Sequence, residues 1–372
     1  MQVAAVFACI RVLAESVASL PLIVYKRRPD GGKDRDPPHP LYRTLHDRPN
    51  RWQTGFEFRE MLMGHAALRG NAYAAIKATG GQAVAELTPL HPDRVIPFRA
   101  PDGLIAYEHT PLEGPRRILL QPEMLHIRGL SDDGICGLSP IKLHREAIGL
   151  ALVTEEHGAR LFANGAQLGG VLQHPGKLQP EAVERLKKSW EARYSGVGNA
   201  HRTAVLEEGM TWNKVGMTSE DAQFLESRHY QVTEIARIFR IPPHMIGDLS
   251  KATFSNIEHQ ALEFVVHTLR PWLVRWEQAI LRDLFTEPDQ ETHFVEFLVD
   301  GLLRGDTQSR YNAYAVGRQW GWLSANDIRR LENLNPIEQG GDDYFQPLNM
   351  ASMTQDKTVK AGKKEEPNGQ KA

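Results

Sequence analysis

Apolar side chains recur along this chain at two spacings, and the longest helical run lies between residues 218 and 258. Phe224, Leu225, Val232, Ile235, Ile238 and Phe239 fall on a helical period. Thr218 or Ser219 offers a capping oxygen ahead of them, and Glu220 and Asp221 put negative charge in the first turn. Pro242 and Pro243 stop the helix, since each lacks an amide donor and restricts the residue before it. About 22 residues at ~1.5 Å rise make a rod of ~33 Å. A small polar segment, Gly247–Asn256, comes next. A second long helix then runs from Asn256 to about Phe285 with Phe264, Val265, Leu269, Trp272, Trp276, Ile280 and Leu284, and Pro271 is expected to kink it. Two long helices joined by a polar, mildly basic loop read as a mechanical part rather than a reaction centre.

The rest of the chain alternates shorter elements. Val3, Val6, Phe7, Ile10, Val12, Leu13 and Val17 predict a helix ending near Pro21, followed by a strand over 22–25 and a turn-rich stretch over 28–40. A loop–helix–loop spans 39–50, and Thr54–Leu68 reads as a helix. Strands are expected at 70–77 and 84–90 around the Gly80-Gly81 turn, and at 94–98, 104–108 and 124–127. Ser139 as cap and Pro140 at the first helical position open a helix running to the stop at Asn164-Gly165. Beyond it come a strand at 169–173, a helix from Pro180 with Val183, Leu186, Trp190 and Tyr194, and strands at 203–206 and 211–215. A strand at 293–298 and helices at 306–319 and 324–334 follow the long pair. The polar stretch beyond Pro347 is expected to be disordered. The class is α+β.

Composition adds limits. With 372 residues, 41% hydrophobic and 24% charged, the chain can bury a sizeable core in two or three domains. Its formal charge of −2 provides no global basic field, which counts against a dedicated DNA binder. Two cysteines, Cys9 and Cys136, are too few for a disulfide framework or a cysteine metal site and read as buried thiols. The apolar opening lacks a basic start, and Arg11 and Glu15 interrupt it, so no signal peptide is read there. No run of ~20 apolar residues predicts a membrane span, and an intracellular or particle-borne chain is expected.

Enzyme motifs are missing: there is no GxxxxGK[ST], HExxH or GxSxG. The 15 histidines are scattered and form no ligand cluster by spacing, so no metal or cofactor is expected. His39, His91 and His244 adjoin prolines and suit turns. Asp132-Asp133 and Asp342-Asp343 sit beside glycine and read as solvated loop charge. Ser324–Leu331 has a helix-turn-helix look without a basic reading face. Ser250, Lys251, Thr253, Ser255 and Asn256 are small, polar or basic, which suits phosphate contact without base reading as well as a plain surface connection. Arg237 and Arg240 either serve the same surface or complement the helix dipole. A soluble α+β hydrolase or nuclease working through scattered His and Asp is the alternative, and no motif supports it.

The run EIARIFRIPPHMIGDLSKATFSNIEHQALEFVVHTLRPWL, over 234–273, resembles the HK97-like portal proteins of tailed bacteriophages. Asn71-Ala-Tyr73, Leu90–Arg94, Gly137-Leu-Ser-Pro140, Asn164-Gly165 and Asp221–Leu225 fall in the same order along nearly the whole chain. The resemblance implies a mixed α/β wing over 1–137, two stem helices over 138–164 and 218–240 bracketing a small α/β clip over 165–217, and a tunnel loop over 241–256. It further implies a long kinked helix with a return to the wing over 257–300, a helical crown over 301–347 and a disordered tail over 348–372. Related portals usually carry a further N-terminal segment, so the start reads as trimmed or lost. The implied function is a homo-oligomeric ring, usually of twelve, through which double-stranded DNA passes for genome packaging, head–tail joining and ejection. Implied partners are the terminase large subunit, the major capsid protein and a head–tail adaptor, with no membrane and no catalytic centre. The place is the portal vertex of a virion assembled in host cytoplasm. Gene transfer agents use similar portals. The tunnel-loop residues and the two arginines would then face the bore, and the weak net charge suits sliding, since tight phosphate neutralisation acts as a brake.

Overall fold

The computed structural model of the protein describes residues 3–79, 82–163, 171–194, 209–213, 219–250, 254–299, 307–332 and 334–345. Two compact units divide at residue 299. The first begins with helix α1 (Ala4–Ser19), strand β1 (Leu22–Arg27), the short β2 (Lys33–Arg35) and helix α2 (Pro40–His46). Helix α3 (Gly55–Arg69) starts with a full capping box, Thr54 and Glu57 each bonding the other's backbone amide. Gly70 closes it in the left-handed region at φ 79°. Strands β3 (Asn71–Thr79), β4 (Gln82–Leu90), β5 (Val95–Arg99), β6 (Ile105–His109), β7 (Arg117–Leu120) and β8 (Met124–Arg128) follow, in the antiparallel orders β4-β3-β8 and β5-β6-β7. Tyr73, Leu90, Val95, Tyr107 and Met124 fill the space between these two sheets.

Helices α4 (Pro140–Leu143) and α5 (Arg145–Ala163) come next, then β9 (Val171–Gln173), α6 (Pro180–Tyr194) and β10 (Thr211–Asn213), with β9 and β10 paired. The long α7 (Ser219–Phe239) precedes α8 (Phe254–Glu263), a π-helical stretch over Phe264–Leu269, and α9 (Arg270–Leu284). A short α10 (Glu287–Thr292) leads into β11 (His293–Phe297), which pairs with β1 in the order β11-β1-β2. The end of the chain's long helix therefore returns to the sheet begun at residue 22. The main core gathers α1, α3, the inner faces of β1, β3 and β8, and α9, whose Trp276 is fully buried against the edge of Phe297. In the second unit α11 (Thr307–Gln319) is tied to the end of α12 (Ala325–Leu331) through Glu332, which meets Arg310 at 2.7 Å and the Tyr314 hydroxyl at 2.9 Å.

Several expectations are corrected. The helix from Pro140 is not continuous: His144 leaves helical geometry at φ −108°, ψ 27°. Ser139 explains the anchoring of α4, since its hydroxyl accepts from the Lys142 amide and donates to the Leu68 carbonyl at 2.8 Å. Held to α3 in this way, α4 cannot follow the line that α5 takes against α7. Pro271 does not simply kink its helix. The π-helical stretch before it lets Arg270 N–H reach Val265 O five residues back, and the wider turn makes room for the proline ring. The turn-rich stretch holds β2, while β7 and α10 lie where no element was expected. The polar linker is shorter than 247–256, because α8 already starts at Phe254 and puts Ser255 and Asn256 in its first turn. The Gly80-Gly81 turn, the stop at 164–165, the strand at 203–206 and the tail beyond 347 lie outside the described residues.

Candidate nucleic-acid interface

Helix α7 ends in a turn that brings two arginines to the surface. Arg240 N–H donates to Arg237 O at 3.1 Å and Ile241 N–H to Ala236 O at 2.9 Å, which is the paired bonding of a Schellman end. Ile241 and Ala236 are buried beneath it. The residue at the turn takes φ +58° and is Arg240, the one non-glycine with positive φ among the described residues. A side chain there costs energy that glycine would avoid. The Arg240 carbonyl accepts from Thr268 Oγ1 at 2.6 Å, so the turn is locked onto the π-helical stretch. Arg237 and Arg240 both have exposed side chains. Among the described residues no carboxylate forms an ion pair with either.

Arg275 of α9 belongs to the same positive patch and was not expected. Its guanidinium lies 5.1 Å over the Trp272 ring, and burial together with the Arg240 charge lowers its pKa. The i,i+3 spacing of Trp272 and Arg275 was the available sequence signal. After α7, a 3-10 turn over Pro243–Ile246 ends at Gly247 with φ 90°. His244 Nδ1 donates to Gln260 Oε1 at 2.8 Å and ties this turn to α8. Asp248 Oδ1 accepts the Ser250 amide at 3.1 Å, and the Ser250 hydroxyl and amide hold the Asp248 carboxyl below its ordinary range. Ser250 is thus engaged within the linker. Arg237 and Arg240 come together at the helix end, and Ser255 and Asn256 sit in helix α8 rather than the loop. Lys251 and Thr253 lie outside the described residues.

The other candidate sites have structural explanations. Asp133 Oδ1 accepts from the Ile135 and Cys136 amides at 2.7 and 2.8 Å, which caps its loop. His91 accepts from the Asp93 amide and His39 from the Leu41 amide, each starting a short helical turn. Ser324 and Asp327 form a capping box. Arg329 and Arg330 are engaged with Asn335 O and Asp327, which leaves α12 without a free basic face. Among the described residues His39, Asp289 and His293 are brought within reach of one another, although their spacing in sequence does not suggest it. No helix of the described residues is long and apolar enough to cross a membrane.

An α+β chain whose described residues form four small antiparallel sheets beside paired long helices, with β11 returned to β1, has the fold of a portal subunit. The sequence profile of the phage portal protein family matches residues 4–333, and the chain belongs to that family. The probable portal protein of Streptomyces phage phiC31 is 37% identical over 371 residues, covering 95% of this chain and 79% of that one. The portal protein of Enterobacteria phage HK97 is 32% identical over 345 residues, 92% of this chain and 81% of that one. Among solved structures, the neck of a native gene transfer agent particle computed with C12 symmetry matches with a TM-score of 0.61 at 25% identity, covering 89% of this chain and 90% of that one.

Proposed function

We propose that twelve copies of this chain stand in a ring at one capsid vertex and enclose the passage through which double-stranded DNA is packaged and later ejected. The observation that carries this reading is the exposed, uncompensated pair Arg237 and Arg240, held at a strained turn between the long helices. The twelvefold symmetry of the gene transfer agent neck supports the count. Helices α5 and α7 stand side by side, bridged by Gln231 Nε2 donating to Thr154 Oγ1 at 3.0 Å. They leave Leu150, Val153 and Tyr230 more than half exposed. Packing these against neighbouring copies contributes about 25 cal/mol for each Å² of apolar surface removed from water.

In this arrangement residues 138–164 and 218–240 form the stem. The clip at 165–217 meets the terminase large subunit and the head–tail adaptor, and the wing meets the major capsid protein. Residues 301–347 form the crown. Arg237 and Arg240, with Ser250, Lys251, Thr253, Ser255 and Asn256, line the bore and touch phosphates without reading bases. The chain contributes confinement and weak contacts, and the packaging energy comes from the terminase ATPase. Assembly takes place in host cytoplasm and the ring ends in the virion.

The double variant Arg237→Ala/Arg240→Ala tests the bore assignment. Rings are expected to form normally while non-specific duplex affinity falls and its salt slope becomes shallower, by about one phosphate contact per arginine engaged. Intact rings with an unchanged salt slope would remove both arginines from the bore.

A further inference from the structure

Three chain segments converge on a pair of imidazoles. His39 precedes α2, Asp289 lies in α10, and His293 opens β11. One ligand atom from each lies within 4.8 Å of the other two. His39 is sandwiched, stacked on Phe285 at 5.3 Å and tilted against His293 at 4.9 Å between ring centroids. Each member is held by a further polar group. Thr286 Oγ1 donates to Asp289 Oδ2 at 2.7 Å, and His293 meets Thr292 Oγ1 at 2.8 Å and Asp36 Oδ2 at 3.2 Å. His293 is 9% exposed, while His39 and Asp289 are half-buried, so an ion has a way in.

We propose that His39, Asp289 and His293 form a zinc site that staples the segment around residues 36–46 to the corner at 286–293. Two imidazoles and a carboxylate are a donor set that suits borderline divalent ions, zinc first among those commonly available. Asp36 either completes the tetrahedron or orients His293 as its carboxylate partner. Zinc bonds of about 2.0–2.1 Å place tetrahedral ligand atoms roughly 3.4 Å apart, so the present cluster closes by small side-chain rotations. Ligation at His39 has one local cost. The Leu41 amide donates to His39 Nδ1 at 3.2 Å, and the metal form gives up that long capping bond. The apparent alternative is a purely aromatic and hydrogen-bonded corner, which requires no second imidazole beside the first.

The test uses the full chain, stripped with a chelator and then titrated with Zn²⁺ by calorimetry and thermal unfolding. One zinc per chain is expected, with a raised unfolding midpoint and, on substitution with Co²⁺, the visible bands of a tetrahedral ion. Asp289→Asn keeps the shape that Thr286 contacts and is expected to weaken zinc at least tenfold without lowering the midpoint of the stripped protein. His293→Gln is expected to abolish the stoichiometric site. With 15 histidines in the chain some adventitious binding is expected. Zinc binding that is equal in wild type, Asp289→Asn and His293→Gln, or the absence of any stoichiometric binding, overturns the proposal.

Discussion

Asn71 joins parts of the chain that lie more than sixty residues apart. Its side-chain nitrogen donates to Gly137 O at 2.8 Å, and its oxygen accepts from Gly137 N at 2.7 Å and from His126 Nε2 at 2.9 Å. His126 in turn accepts from the Tyr107 hydroxyl at 3.3 Å, and burial pushes its pKa well below the ordinary imidazole range. Gly137 has no room for a side chain, because an added Cβ would stand 2.0 Å from Gly70 O. Asn71→Ala leaves several buried groups unpaired at about 1–3 kcal/mol each, so a loss of roughly 3 kcal/mol is expected from the urea midpoint. A loss below 1 kcal/mol would show that water replaces the amide. The two short stretches that mark the family in the sequence, Asn71-Ala-Tyr73 and Gly137-Leu-Ser-Pro140, are therefore two halves of one contact. Their identity was legible as a pattern. Their reason was not, since nothing local in either stretch points to the other.

Among the elements, those with strong periodicity and caps were legible and those defined by partners were not. Helices α1, α3 and α7 lie close to where their apolar spacing and their stops place them. Strand β2 is Lys-Asp-Arg and fully exposed, and only its register against Tyr25, Lys26 and Arg27 of β1 makes it a strand. The four-residue β7 likewise exists by pairing with β6. The break at His144 comes from where α3 holds α4, which no window of sequence records, while Pro271 marked a disturbance in its helix without showing that a π turn would absorb it. The end of α7 was legible from its prolines, but the left-handed Arg240 was not, because glycine is the residue that signals such a turn. Arg240→Gly is expected to keep or raise stability by up to about 1 kcal/mol while weakening duplex binding as much as Arg240→Ala does. A clear loss of stability in the urea midpoint would instead give the Arg240 side chain a structural role.

For the whole molecule, the candidate surface was legible mainly through resemblance. The chain's net charge of −2 conceals a local patch of Arg237, Arg240 and Arg275 that only the fold assembles. In the proposed ring that patch faces the DNA, and the exposed Leu150 and Val153 of α5 meet neighbouring copies. Twelve chains of 41.9 kDa make a particle of roughly half a megadalton. Electron microscopy of the purified protein viewed down its axis is the most direct test. The account predicts a twelvefold ring whose central opening admits a DNA duplex, with the α7 ends facing it. A monomer, or a closed particle with no opening of that width, would contradict it.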